Sequence, residues 1–472
     1  MLRNIELGRE KALNIVYLKA ISSVIQVKMI VLSCLFGKMR NLRHIIPFLV
    51  TLFCFAFPNT FWAQEANWPW VFDGQNFAIT SGHENSFYPS IASNDQIYFV
   101  VWYQKTDSGF DIYGKRITKE GQVIDEVPMP ICTADDDQMF PSVAWDGENF
   151  LVVWQDRRSG TRWDIYGVRV NPEEADPEKA ALDRDGIPIG VGKSSYDQIS
   201  PALSFDGENY LVVWRGKKTS KTWNIYFNFV SSKDGRPIYR KPIALNPSSK
   251  NQQASPAVSF NGDSYIIVWQ EKRPNQFWAI VGAKVFPLGG PPTLEVEKFL
   301  LGEISPAVGE EPAWDRWQPE ITWNGRYHLI LWTSQREKDR WSIEGKRLDP
   351  YFINMDQEDL VLESDGTNKV FPAVVWDEQK EQFLLLWEDD PEGETKIYGA
   401  SLQTESKPFV QSNPEPISAS NANNPSIPRV SKSGDGILAI WEELGPEGNW
   451  QIFGRRLERQ VEIHPFGPIF VD

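Results

Sequence analysis

The residues of this chain best suited to chemistry are those that interrupt its regularities. Positions 309–318 read Gly-Glu-Glu-Pro-Ala-Trp-Asp-Arg-Trp-Gln, setting Trp314 and Trp317 beside Asp315 and Arg316. Aromatic faces flanked by a carboxylate and a guanidinium suit a sugar ring or the edge of a peptide. A second stretch, Asp135-Asp136-Asp137-Gln138, offers carboxylates and an amide. Against these stands the plainer reading of a solvated acidic rim and a loop that packs its own Trp residues. These eight are the expected ligand-binding residues.

Signatures of catalysis are missing from the rest of the sequence. His83, His328 and His464 lie far apart, and none sits in a nucleophile motif. No glycine-rich phosphate loop follows a strand-like run, and no D-x-D-x-D-G calcium loop occurs; Asp183-Arg-Asp-Gly is a lone turn. Cys34 and Cys54 fall in an apolar leader, which leaves Cys132 as the single downstream thiol, in the apolar run Met-Pro-Ile-Cys. Such a cysteine reads as a small buried hydrophobe, not a nucleophile. The sequence therefore assigns no catalytic residue, no metal and no cofactor.

The elements that must position these residues come from a repeat. A short apolar run closes on Trp at 102, 154, 214, 269, 332, 387 and 441, with a proline upstream of each at 89, 141, 201, 256, 319, 372 and 428. Downstream of each Trp comes an Ile-x-Gly, as in Ile165-Tyr-Gly, with Phe in place of Gly in the third copy. The second copy shows the pattern best. Val143 and Trp145 alternate on a first strand, Asp146-Gly147 signals a turn, Phe150–Trp154 is apolar on both faces, and Ile165–Val170 makes a third strand. A weaker fourth strand is expected at Lys119–Ile124, Arg184–Ile189 and Lys233–Ile238. A period of about 52–63 residues built from four strands predicts an all-β, seven-bladed β-propeller. Asn76–Thr80 and Pro468–Val471 are rival candidates to complete the terminal blade, and the expectation is that the N-terminal piece closes the ring.

Repetition also governs two tempting rings. Most of the 20 Trp occupy repeat-locked positions, which argues for packing between blades over a sugar-binding crown. Arg116, Arg169, Lys284, Arg347 and Arg456 share one position, and Asp146, Asp206 and Asp377 share another at the first turn. Arg–Asp or Arg–carbonyl bonds tying the hairpins together are expected from these.

Composition removes further classes. A net charge of −15 and a pI near 5.0 exclude a nucleic-acid footprint and disfavour docking on anionic lipid. Lys38, Arg40 and Arg43 precede the apolar run Ile45–Phe57, with Ala63 beyond it, which reads as a secretory signal over 39–65. Residues 1–38 then form an upstream extension or leader, and 66–472 the propeller. The apolar run is short for a membrane span, so no integral span is expected in the mature chain.

The stretch Val152-Val-Trp-Gln-Asp-Arg-Arg-Ser-Gly-Thr-Arg-Trp-Asp-Ile-Tyr-Gly resembles the repeats of TolB-like and surface-layer-type exported propellers. The resemblance spans most of 88–456 and is strongest in the first two copies. It implies an exported β-propeller used in binding or envelope organisation, and no particular ligand. The reading is thus a non-catalytic binding or scaffold module, periplasmic, cell-surface or secreted, with a protein or glycan ligand on the face bearing the loops 133–140 and 309–318. The alternative is a glycan-active hydrolase or lyase with carboxylates in the central funnel. An enzyme would gather several carboxylates and an Arg on a concave pocket, a binder a broader aromatic patch.

Overall fold

The computed structural model describes residues 75–457, apart from 185, 192–195, 220, 248, 274–276, 288–297, 302–314, 338–339, 357–358, 363–366, 391–392, 404–413 and 420. Its strands form seven antiparallel sheets of four strands each. Six blades follow one another along the chain at 86–132, 138–190, 198–244, 253–301, 315–361 and 369–416. The seventh takes three strands from 426–457 and its outermost strand, Phe77–Ala78, from the N-terminal end. Phe77 pairs with Gly454 and Ala78 with Phe453, and Ile452 N donates to Thr80 Oγ1 at 2.9 Å. The ring is therefore closed by the N-terminal piece; residues 468–471 lie outside the described residues. Among the described residues the one α-helix is the single turn Pro177–Ala180, and no helix is long and apolar enough to cross a membrane.

The second strand of each blade is apolar on both faces because it lies between the neighbouring sheets. Its closing Trp is fully buried in all seven copies. A buried indole needs an acceptor. Trp154 donates to Asp156 at 2.8 Å, Trp387 to Asp389 at 3.1 Å and Trp441 to Glu443 at 2.9 Å, in each case two residues further along the same strand. In the third blade that position is Gly216, and Trp214 turns instead to Gln198 at 2.7 Å. The Gly of Ile-x-Gly marks a close approach of the third strand to the second. A Cβ on Gly345 would stand 2.7 Å from the carbonyl oxygen of Ile330.

Two expectations about the outer parts of the blades need correction. In the first and third blades the expected fourth strands make only single bridges, Ile117 with Val123 and Val230 with Pro237. The paired fourth strands come later, at Met129–Cys132 and Ile243–Ala244. Gly121 and Gly235 adopt positive φ and fold the chain briefly back on the third strand, and Pro237 has no N–H to extend the ladder.

The arginine ring does tie hairpins together, but not through the first-turn aspartates. Asp146 accepts from the N–H groups of Glu148 and Asn149 in its own turn. Arg116 pairs with Asp125 at 2.6 Å, Arg169 with Asp183 at 2.9 Å and Arg347 with Asp356 at 2.5 Å. The same arginines reach across to the next blade's carbonyls: Arg116 to Pro172, Arg169 to Lys233, and Arg456 to Lys119.

Candidate functional site at the mouth of the central channel

The residue before each repeat proline adopts a left-handed backbone. Tyr88, Phe140, Ser200, Ser255, Gln318, Phe371 and Ile427 all have φ between 49° and 56°. For a residue with a side chain this costs roughly 1–2 kcal/mol. In every blade the strand register shifts at this point, so the ring carries seven β-bulges. Each lies near the start of an inner strand, at the end of the ring where the outer-to-inner connections emerge. The bulges turn these residues toward the axis, where they line a cavity of about 470 Å³.

Side chains from the neighbouring blade hold several of the bulges. The residue after the closing Trp accepts the bulge N–H of the next blade. Gln155 takes Ser200 N at 3.1 Å, Gln270 takes Gln318 N at 3.0 Å, and Glu442 takes Tyr88 N at 2.7 Å. Glu388 does the same for Ile427 and also accepts from Ser426 Oγ at 2.5 Å. Burial pushes the carboxyls of Glu388 and Glu442 above the usual range, more than these hydrogen bonds pull them down.

The mouth is chemically two-sided. On the first, second, sixth and seventh blades the bulge residues are Tyr88, Phe140, Phe371 and Ile427. The rings of Tyr88 and Phe140 meet edge to face at 4.6 Å. On the third to fifth blades the same positions are Ser200, Ser255 and Gln318. One step deeper, just past the proline, the wall is Ser90, Ser142, Ala202 and Ala257 in four blades, while Ala373 of the sixth is buried in the core. In the other two it is Glu320 and Arg429, and both face the cavity.

Glu320 has no hydrogen bond or ion pair among the described residues, and Arg429 has only Nη1 to the carbonyl of Pro428, at 2.9 Å. Glu320 is half-buried in the channel wall. Burial raises its carboxyl pKa, against the opposing pull of Arg429. On the third blade Arg215 stacks its guanidinium on Trp223 at 4.3 Å and leaves Nε without a partner.

The residues singled out from sequence fall mostly into the scaffold. Asp315 Oδ1 accepts from Trp278 N at 2.8 Å, and Asp137 Oδ1 from Phe110 N at 3.2 Å. Asp197, Asn368 and Asn85 make the same blade-to-blade tie with Trp163, Trp341 and Trp450, so this is a repeated joint. Arg316 is buried and spent on Asp359 at 3.1 Å and Glu344 at 3.5 Å. Trp317 stands two residues before the proline, within the repeat and paired with Thr333, its ring 4.6 Å from that of Trp341. Gln138 is fully buried and donates to the carbonyls of Asp135 and Asp136. Asp135 is exposed and Asp136 half-buried on the rim. Trp314 lies outside the described residues. Cys132 is buried, and burial pushes its thiol up to about 11.

Sequence reasoning missed Glu320 and Arg429. The signal was present in the residue after each repeat proline, small in five copies and charged in two. Among the described residues no cluster of His, Cys, Asp or Glu is placed to hold a metal ion.

No protein-family model and no curated protein sequence matches the chain. Solved structures do. The polysaccharide lyase Uly1 superposes with a TM-score of 0.52 at 11% identity, over 78% of this chain and 89% of that one. A Dyadobacter fermentans protein described as of unknown function gives 0.46 at 10% identity, over 82% and 98%. The β-propeller domain of the Trilobed protease from Pyrococcus furiosus gives 0.46 at 9% identity, over 79% and 96%. At such identities the likeness concerns the β-propeller fold alone.

Proposed function

We propose that this chain is an exported, non-catalytic binding propeller that takes the end of a glycan into the mouth of its central channel. One observation carries the reading: four blades present Ser or Ala to the channel and two present the unpaired charges Glu320 and Arg429. The serines around them supply short hydroxyl partners, and Tyr88, Phe140 and Phe371 supply apolar ring faces beside a polar half-mouth, a mixture that suits sugar rings. The cavity volume falls in the usual range for small-ligand sites. Export rests on the leader over 39–65 and on the resemblance to exported propeller repeats.

The rival reading, a glycan-active hydrolase or lyase, draws on the raised carboxyls of Glu320, Glu388 and Glu442 near Arg429. Glu388 and Glu442 are occupied as acceptors for bulge amides, however. Only Glu320 is left unengaged, and glycoside hydrolysis ordinarily needs two carboxyl groups with separate roles. This favours binding.

The test is a glycan array on the purified protein, followed by calorimetry with Glu320→Ala and Arg429→Ser. Sister blades carry Ala or Ser at this position, so both variants should melt like the parent. Binding that both substitutions weaken supports the reading. A protein that binds no glycan, or binds one regardless of either substitution, overturns it, and turnover of a bound glycan would move the chain to the enzyme class.

A further inference from the structure

Glu320 and Arg429 belong to the fifth and seventh blades and meet only around the axis. They feel each other's charge, as the pull of Arg429 on the Glu320 carboxyl shows, yet no ion pair joins them. The intervening blade carries Ala373 at the same repeat position, buried in the core and outside the cavity wall, so it spans nothing between them. Two opposite charges are thus held in one confined cavity with their mutual contact left unmade. Both are half-buried beside the cavity, and a group placed between them could pair with both at once.

A neutral sugar gives no reason for this arrangement. Hydroxyls can be held by the serines that other blades supply, and the sevenfold pattern would place Ser or Ala at 320 and 429 too. Nor is the pair needed for folding, because the five blades with a small residue at this position form the same bulge. Glu442 feels the charge of Arg429 as Glu320 does, yet no ion pair or hydrogen bond joins Arg429 to Glu388 or Glu442 among the described residues.

We infer that the sugar recognised in this channel is zwitterionic, carrying an amine that Glu320 binds as ammonium and a carboxylate that Arg429 binds through its guanidinium fork. The inference rests on the channel being a glycan site, and it names the charges of the sugar that enters. Arg is suited to a planar, bidentate carboxylate contact and a carboxylate to a compact ammonium.

Four monosaccharide probes separate the possibilities: glucose has neither charge, glucosamine only the amine, glucuronic acid only the carboxylate, and muramic acid both. Calorimetry on the full protein near neutral pH should rank muramic acid tightest, with each charge worth about ten- to hundredfold in affinity. Glu320→Ala should then reduce muramic acid to the level of glucuronic acid, and Arg429→Ser to that of glucosamine. Melting temperature checks that both variants fold. Equal affinity for glucose and muramic acid, weakened by both substitutions, would overturn the zwitterion and leave the glycan site standing. Tight binding of glucosamine or glucuronic acid that the second charge does not improve would also overturn it. Failure of all four probes and of the glycan array would remove both readings together.

Discussion

The carboxylate of Glu442 in the last blade accepts a hydrogen bond of 2.7 Å from the backbone N–H of Tyr88 in the first. This contact joins the two ends of the ring at the channel mouth, beside Arg429. Gln155 and Gln270 perform the same task elsewhere with neutral amides. A carboxylate at this position therefore adds a buried charge that the joint itself does not require.

Glu442→Gln should keep the hydrogen bond and leave the protein as stable or more stable at pH 7. Burial raises the folded-state pKa of Glu442 above its unfolded value. The stability that goes with its protonated form is fully present below the unfolded pKa and is lost as pH rises through the folded one. The parent should thus gain stability on mild acidification from neutral pH, and the Gln variant should gain less. Glu442→Ala, which orphans the Tyr88 amide, should cost about 1–3 kcal/mol. Urea melts at several pH values measure all three; a Gln variant less stable than the parent at pH 7 would contradict the account.

His328 should work in the opposite direction. It is fully buried, lies 4.7 Å from Trp323, and has a pKa lowered to about 3 by burial. The unfolded chain takes up a proton near pH 6.5 and the folded one does not, so its contribution falls by about 1.4 kcal/mol per unit as pH drops through that window. Phe150 and Phe383 hold the equivalent position in other blades. His328→Phe should therefore fold normally and unfold at a lower pH than the parent. An unchanged acid midpoint would show that His328 takes up no part in acid unfolding.

Closure by the N-terminal strand predicts strong dependence on a few residues. Ile79 is buried among Tyr98, Trp102 and Leu438, which belong to the first and last blades. Ile79→Ala should cost about 2–5 kcal/mol, and removing the chain through Thr80 should lower the melting temperature sharply. A truncated protein that melts with the parent would mean the ring does not need this strand.

Trp317→Ala separates scaffold from site. Tilted against Trp341 and only half-buried, Trp317 should cost about 2–3 kcal/mol on truncation, less than the about 3–5 of a fully buried aromatic. Glycan affinity should stay within twofold, because the ring packs along the blade and does not line the channel wall. Lost binding with unchanged stability would return Trp317 to the list of ligand residues.

Much of this architecture was legible because it is local. The alternation of Val143 and Trp145, the two-faced apolar run at Phe150–Trp154 and the Asp-Gly turns each constrain only a few neighbouring residues, and their recurrence gives the blade and its period. The arginine partners were not legible, since Arg116 had several aspartates within reach of a folded hairpin and only the turn geometry chose Asp125. Trp317 looked irregular because its partner Trp341 is reached through strand pairing, not through sequence adjacency.

By itself the sequence determined seven blades, four strands in each and the buried Trp that closes every second strand, while it left two candidates for the closing strand. Local periodicity and side-chain volume suffice for that. Only the tertiary structure decided which exceptions meet. Glu320 and Arg429 are single departures in repeats far apart along the chain, and neither is conspicuous alone. A closed ring brings the repeat prolines and their neighbours to one axis, where four small residues line the wall and two opposite charges share one cavity.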